Sequence, residues 1–124
     1  MSTISTHPRR ADLLQDGARM AQAEFHRRYQ AYPDHVKAEL IGGIVYMASP
    51  ERWPHAVYHP ELSFAFCFYK GSTAGVELLD NATTILGKFS EPQPDLALRI
   101  LPEYGGQSTT DEDDYITGAP ELIA

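Results

Sequence analysis

Four side chains in this sequence could do chemistry together: Asp95, Glu39, His55 and His59. Asp95 stands in EPQPDLALRI, behind two prolines and at the mouth of an apolar run. Strands are depleted in aspartate, and an aspartate beside proline ordinarily marks a turn. Here an apolar strand follows at once, and a strand through a core holds its first side chain rigidly, which is what a metal-binding carboxylate needs. Glu39 opens AELIGGIVYM, where its side chain is expected on the sheet face opposite the core. Alone, it reads as an exposed charge at the start of a strand. Two carboxylates at strand ends can share Mg²⁺ (or Mn²⁺), a hard cation that binds oxygen and keeps waters for chemistry.

His55 and His59 lie four apart, the spacing of zinc ligands on one helix. Pro54 and Pro60 bracket them, so a loop is expected rather than a continuous helical face. No cysteine or third nearby histidine completes a zinc set. The open readings are a histidine beside an activated water, a phosphate contact, or a loop histidine without a role. Other chemistries are missing: there is no phosphate-cradling glycine loop, dinucleotide fingerprint or nucleophile elbow. The acidic run Asp111–Asp114 lacks the alternating ligands and central glycine of a calcium loop, so it reads as solvated.

The elements that must position these residues follow from periodicity. Residues 1–10 are expected to be disordered, and 11–124 to form one domain. From Asp12 to about Tyr32, Ala18, Ala21, Phe25, Tyr29 and Tyr32 recur at helical intervals, and Pro33 ends the pattern. AELIGGIVYM predicts a hairpin, because Gly42-Gly43 supplies the positive φ angles of a two-residue turn. ASPERWPHAVYHP predicts a loop, and ELSFAFCFYK a helix opened by Pro60, apolar nearly all round and therefore laid against the sheet. GVELLDNATTILG predicts two strands about Asp80-Asn81, DLALRI a strand, PEYGGQSTTDEDD a loop and YITGAPELIA a final strand. The sum is α+β (or α/β), with helices flanking a mixed central sheet.

Composition sets the class. Hydrophobic residues at 43% and charged residues at 22% are those of an ordinary globular chain. No apolar run is long enough to cross a bilayer, and MSTISTHPRR lacks the apolar block of a secretory signal. A cytoplasmic location and no membrane partner are the expectation, and the single cysteine agrees. Cys67, within FAFCFY, is expected to be a buried small hydrophobe without a role. The net charge of −7 is unevenly spread: residues 1–37 hold six basic against four acidic side chains, and the rest four against thirteen. An acidic body binds phosphate backbones poorly. The N-terminal arginines are the expected contact for any nucleic acid, unless a metal ion offsets the acids.

Three stretches together resemble the Uma-type restriction endonucleases, a bacterial family with the PD-(D/E)XK fold. AELIGGIVYMASP resembles the family's signature hairpin, EPQPDLALRI with PEYGGQ its PD segment, and YITGAPELIA the approach to its last core strand. The resemblance spans roughly Phe25 to Ala124. It implies a restriction-endonuclease-like core around one acidic cleft, with Asp95 as the PD aspartate and a Mg²⁺ ligand. It implies Glu39 as the acidic residue supporting the metal from the hairpin. It places His55 where the family often has histidine, although Pro60 departs from the family's helix there. DNA is the implied substrate and a homodimer is compatible with cutting a duplex.

In the family the strand beginning PEL continues into a glutamate, with a lysine further on; this sequence stops at Ala124. The expectation is therefore a copy truncated before the second half of the motif, with the C-terminal cover of the sheet missing and little or no cleavage. Two functions follow. One is a Mg²⁺-dependent endonuclease with Asp95, Glu39 and His55 as its catalytic residues. The other is a non-catalytic binding or oligomerisation module with a nuclease-like fold.

Overall fold

The computed structural model describes residues 9–48 and 53–124. They fall into two compact units, one built from residues up to 48 together with 86–92, the other from the remainder. The disorder expected for the N-terminus falls mainly outside the described residues. Arg10 already belongs to a single 3₁₀ turn, Arg10–Asp12.

The first unit is organised by its hairpin. Strands β1 (Ala38–Ile41) and β2 (Ile44–Met47) pair antiparallel, with Ala38 opposite Met47 and Ile41 opposite Ile44. Gly42 and Gly43 have φ of 58° and 81°. Both therefore lie in the left-handed region, which a two-residue turn matched to strand twist demands. Alternation then sorts the side chains: Ala38, Leu40 and Val45 are buried, while Ile41 and Tyr46 are exposed. Helix α1 (Gln22–Tyr29) lays Phe25 on that face, and with Leu14 these residues form the core.

The apolar stripe of the first helix was legible, but its length was not. The helix covers only Gln22–Tyr29, because residues 13–21 bond to the hairpin instead. Gly17 N–H donates to Val45 C=O at 2.8 Å, Val45 N–H to Ala18 C=O at 2.8 Å and Met20 N–H to Gly43 C=O at 2.9 Å. An edge strand's unpaired backbone groups compete well against helix formation in so short a segment. The other edge is covered by 86–92, where Leu40 and Glu91 exchange backbone bonds of 3.1 and 2.7 Å.

In the second unit, β3 (Val76–Asp80), β5 (Leu96–Ile100) and β8 (Leu122–Ile123) form an antiparallel sheet in the order β3-β5-β8. A smaller mixed sheet has the order β4-β7-β6, from β4 (Thr84–Ile85), β6 (Thr109–Thr110) and β7 (Ile116–Thr117), with β4 parallel to β7. The architecture is α+β as expected, with its strands shared among three small sheets.

Helix α2 (Trp53–Ser72) differs most from expectation. The stretch from Trp53 read as loop is helical, and Pro60 lies inside the helix rather than at its start. Pro54 sits in the first turn, where a missing N–H costs nothing. The helix was expected to lie against the sheet, and it does contact β3, yet none of its residues is fully buried. Of its half-buried residues, His55, His59, Ser63 and Phe66 recur at three- and four-residue spacing, and Val57 lies off that row. Those four form one face. The other faces expose Phe64 and Phe68, each 74% accessible. Cys67 is exposed as well, contrary to the buried position expected of it. Among the described residues no helix is long and apolar enough to cross a membrane.

Candidate active site

Asp95 immediately precedes β5, whose first residue, Leu96, is 1% exposed. The backbone there is fixed from both sides. Pro94 sets one φ, and Asn81, itself at φ 53°, donates its N–H to Asp95 C=O at 3.1 Å. The antiparallel register that sets Asp80 opposite Leu96 thus brings the end of β3 beside the start of β5. Two aspartates, Asp80 and Asp95, arrive at one end of one sheet.

The half-buried face of α2 brings two histidines to meet them. His55 Nδ1 stands 3.7 Å from Asp95 Oδ2, and His59 Nε2 stands 3.6 Å from Asp80 Oδ1. The imidazoles stack with centroids 5.3 Å apart and planes 27° apart. Spacing of four places side chains one above the other on a helix, so continuity through Pro54 and Pro60 is what creates the stack. The loop expected here would not have done so. At about 3.7 Å each pair is an ion-pair distance, longer than a direct hydrogen bond. A cleft of about 500 Å³ opens at this point, lined by His55, His59, Glu61, Leu62, Asp95 and Ala124 among others. Asp95, with 37% of its side chain exposed, can reach both the cleft and water.

Asp95 and His55, named from the sequence, are therefore brought together in the second unit. Glu39 belongs to the first. It stands on β1 opposite Tyr46, half-buried, between Ala38 and Leu40, which face the core. Its position on the face away from the core agrees with the reading of the hairpin. Asp80 and Glu61 were missed. Asp80 reads locally as a turn residue and Glu61 as a helix surface charge, and only the strand register and the helix phase bring them to the cleft.

Some of the N-terminal arginines are engaged within their own unit. Arg27 donates to Asp12 Oδ1 and to Glu24 Oε1, both at 2.7 Å, Arg28 donates to Glu24 Oε1 at 2.7 Å, and Arg9 pairs with Asp12 at 3.4 Å. These bonds hold the Glu24 carboxyl down at about 2. Much of the N-terminal positive charge is thus committed to the unit's own acids. In the acidic loop, Asp111 Oδ1 accepts N–H bonds from Asp113 and Tyr115, both at 2.9 Å, so that aspartate shapes a turn.

Among the described residues there is no group of three or more His, Cys, Asp or Glu able to enclose a metal ion. Mg²⁺ is commonly held by one or two carboxylates and completed by water and substrate phosphate. A rigid, half-exposed aspartate at a cleft fits that kind of site.

The family model Uma2, described as "Putative restriction endonuclease", matches residues 23–124, and the chain belongs to that family. Among curated proteins none matches the chain. Restriction-endonuclease-like families generally use a divalent metal.

Proposed function

We propose that this chain carries the metal-anchoring part of a Mg²⁺-dependent DNA endonuclease, with Asp95 as the ligand and His55 beside it. Glu39 is the second carboxylate of the proposal, on the strength of the family's hairpin. The observation that carries the reading is the convergence of Asp95 and His55 at 3.7 Å on the wall of an open cleft.

When bound, the ion supplies charge neutralisation at the phosphate and makes water a better nucleophile. Asp95 presents its carboxylate from a strand start that cannot swing away. Its negative charge at His55 Nδ1 favours the tautomer with the proton on that nitrogen, leaving Nε2 to accept one. His55 can then take a proton from an attacking water, and the pairing shortens as substrate is clamped. Leu62 and Leu96 line the same wall and restrict water.

A second reading, a non-catalytic binding module, draws on the exposed Phe64 and Phe68 of α2. Exposed apolar patches mark interaction surfaces. Calorimetric titration with Mn²⁺ separates the two. Binding that is lost in Asp95→Asn and kept in Glu103→Gln supports the nuclease site. Absence of Mn²⁺ binding, together with no Asp95-dependent nicking of plasmid DNA, leaves the module.

A further inference from the structure

The far side of α2 carries an apolar row of its own. Trp53, Val57, Pro60, Phe64 and Cys67 recur at intervals of four, three, four and three, and Phe68 stands beside the end of the row. At about 100° per residue, this row lies on the order of 140° around the helix from the one led by His55. Trp53, Phe64 and Phe68 are each 74% accessible, and Cys67 is exposed.

Such a surface is large for one helix. Aromatic side chains of about 150–250 Å² each, about three-quarters open, together present about 350–550 Å². A stable interface takes about 800 Å² from each partner, so these rings alone supply roughly half of one side. Charge narrows the choice of occupant. Between Trp53 and Ser72 the only Asp, Glu, Lys or Arg residues are Glu61 and Lys70, and neither belongs to the row. A phosphate backbone finds no cation there. Interfaces of this apolar kind are those of obligate homodimers. Spacing that alternates four and three is also the repeat by which two helices mesh with each other. The other α-helix among the described residues, α1, has its apolar face committed, with Phe25 at 0% exposure in the core of its own hairpin. The helix left to mesh with α2 is α2 of another copy.

We propose that the row from Trp53 to Phe68 is a self-association surface, on which α2 of one copy packs against α2 of a second across a two-fold axis. The same patch then serves both partners, so the contact closes at two. The row lies away from the His55 face, and the proposal does not depend on the nuclease reading of the Asp95 cleft.

Trp53 is the only tryptophan of the chain, so its fluorescence reads the row directly. On dilution of the full chain through the micromolar range, sedimentation should pass from the mass of two copies to that of one. Trp53 emission should move to the red over the same concentrations. Phe64→Glu and Phe68→Glu alter exposed side chains, and each should weaken association at least about a hundredfold while circular dichroism stays unchanged. Tyr104→Ser, at a residue 60% accessible and outside α2, should leave association intact, as should Asp95→Asn. A chain that is monomeric at every concentration overturns the proposal. So does association that survives Phe64→Glu, or a mass that grows past two copies. A Trp53 shift that fails to follow the sedimentation midpoint in the wild-type chain overturns it as well, whatever the variants do to the fold.

Discussion

His55 and Asp95 meet across a gap of 3.7 Å, because one begins a helix face and the other immediately precedes a strand. The proximity is a product of register and helix phase, and it gives the second unit a histidine and a carboxylate at one cleft. If the carboxylate holds a cation, the ring must feel it. Mn²⁺ is expected to broaden the ring signals of His55, and those of His59 stacked on it, in proton NMR. Asp95→Asn should abolish the broadening and Glu103→Gln should leave it. Equal broadening in all three proteins would place the ion elsewhere.

Glu91 is 1% exposed, with Oε1 at 2.8 Å from both Gln22 Nε2 and His26 Nδ1, and Oε2 unpartnered among the described residues. Burial pushes its carboxyl up, and the Gln22 bond and His26 charge only partly oppose this. The folded chain therefore holds this proton more tightly than the unfolded one. Its contribution is complete below the ordinary value of 4.5 and is lost as pH rises through the raised one. Glu91→Gln should remove that loss. Denaturant midpoints of variant and wild type should diverge as the pH rises above 4.5, in favour of the variant. Parallel curves would contradict the assignment.

Glu24 has the opposite sign. Its carboxyl is held down at about 2 by the Arg27 and Arg28 bonds, so its contribution is present above the ordinary value and disappears as pH falls through about 2. Glu24→Gln should destabilise α1 at neutral pH and have no effect in strong acid. The side chain is exposed enough for salt to screen it, so added salt should shrink the neutral-pH difference. Circular dichroism melts at low and high ionic strength measure both effects.

Two glycines of the second unit should respond oppositely to alanine. A Cβ at Gly106 would overlap the Ile100 carbonyl oxygen, which is backbone and cannot step aside. Gly106→Ala should cost about 2 kcal/mol or more in chemical denaturation. Gly71, in the last turn of α2, has open space around the same position. Gly71→Ala should stabilise by about 0.5–1 kcal/mol, through helix propensity.

What could be read from the sequence was local. Gly42-Gly43 announced its turn because only a pair free to take positive φ serves there. PQPD followed by LALRI announced a strand start, and the start falls at Leu96. The stripe of Phe25, Tyr29 and Tyr32 was right about the face but not about the helix length, since hairpin pairing claimed residues 13–21. Pro54 and Pro60 were misleading for a different reason. Proline marks a breaker by its own geometry, whereas tertiary contacts along the His55–Phe66 face outweigh its roughly 3 kcal/mol penalty in a helix interior. Asp80 and Arg99 had no local signal. Asp80 joins the site only because β3 and β5 share a register, and Arg99 finds Glu77 directly across the same ladder.

Pro60 has a mechanical consequence. Without an amide hydrogen it cannot bond the carbonyl of Ala56, so the helix loses a rung between the turn that bears His55 and the turn that bears His59. A helix with a missing rung flexes there before it flexes anywhere else. The two rings are thus mounted on either side of a built-in joint, and their spacing can adjust to the size of what lies between the imidazoles and the aspartates.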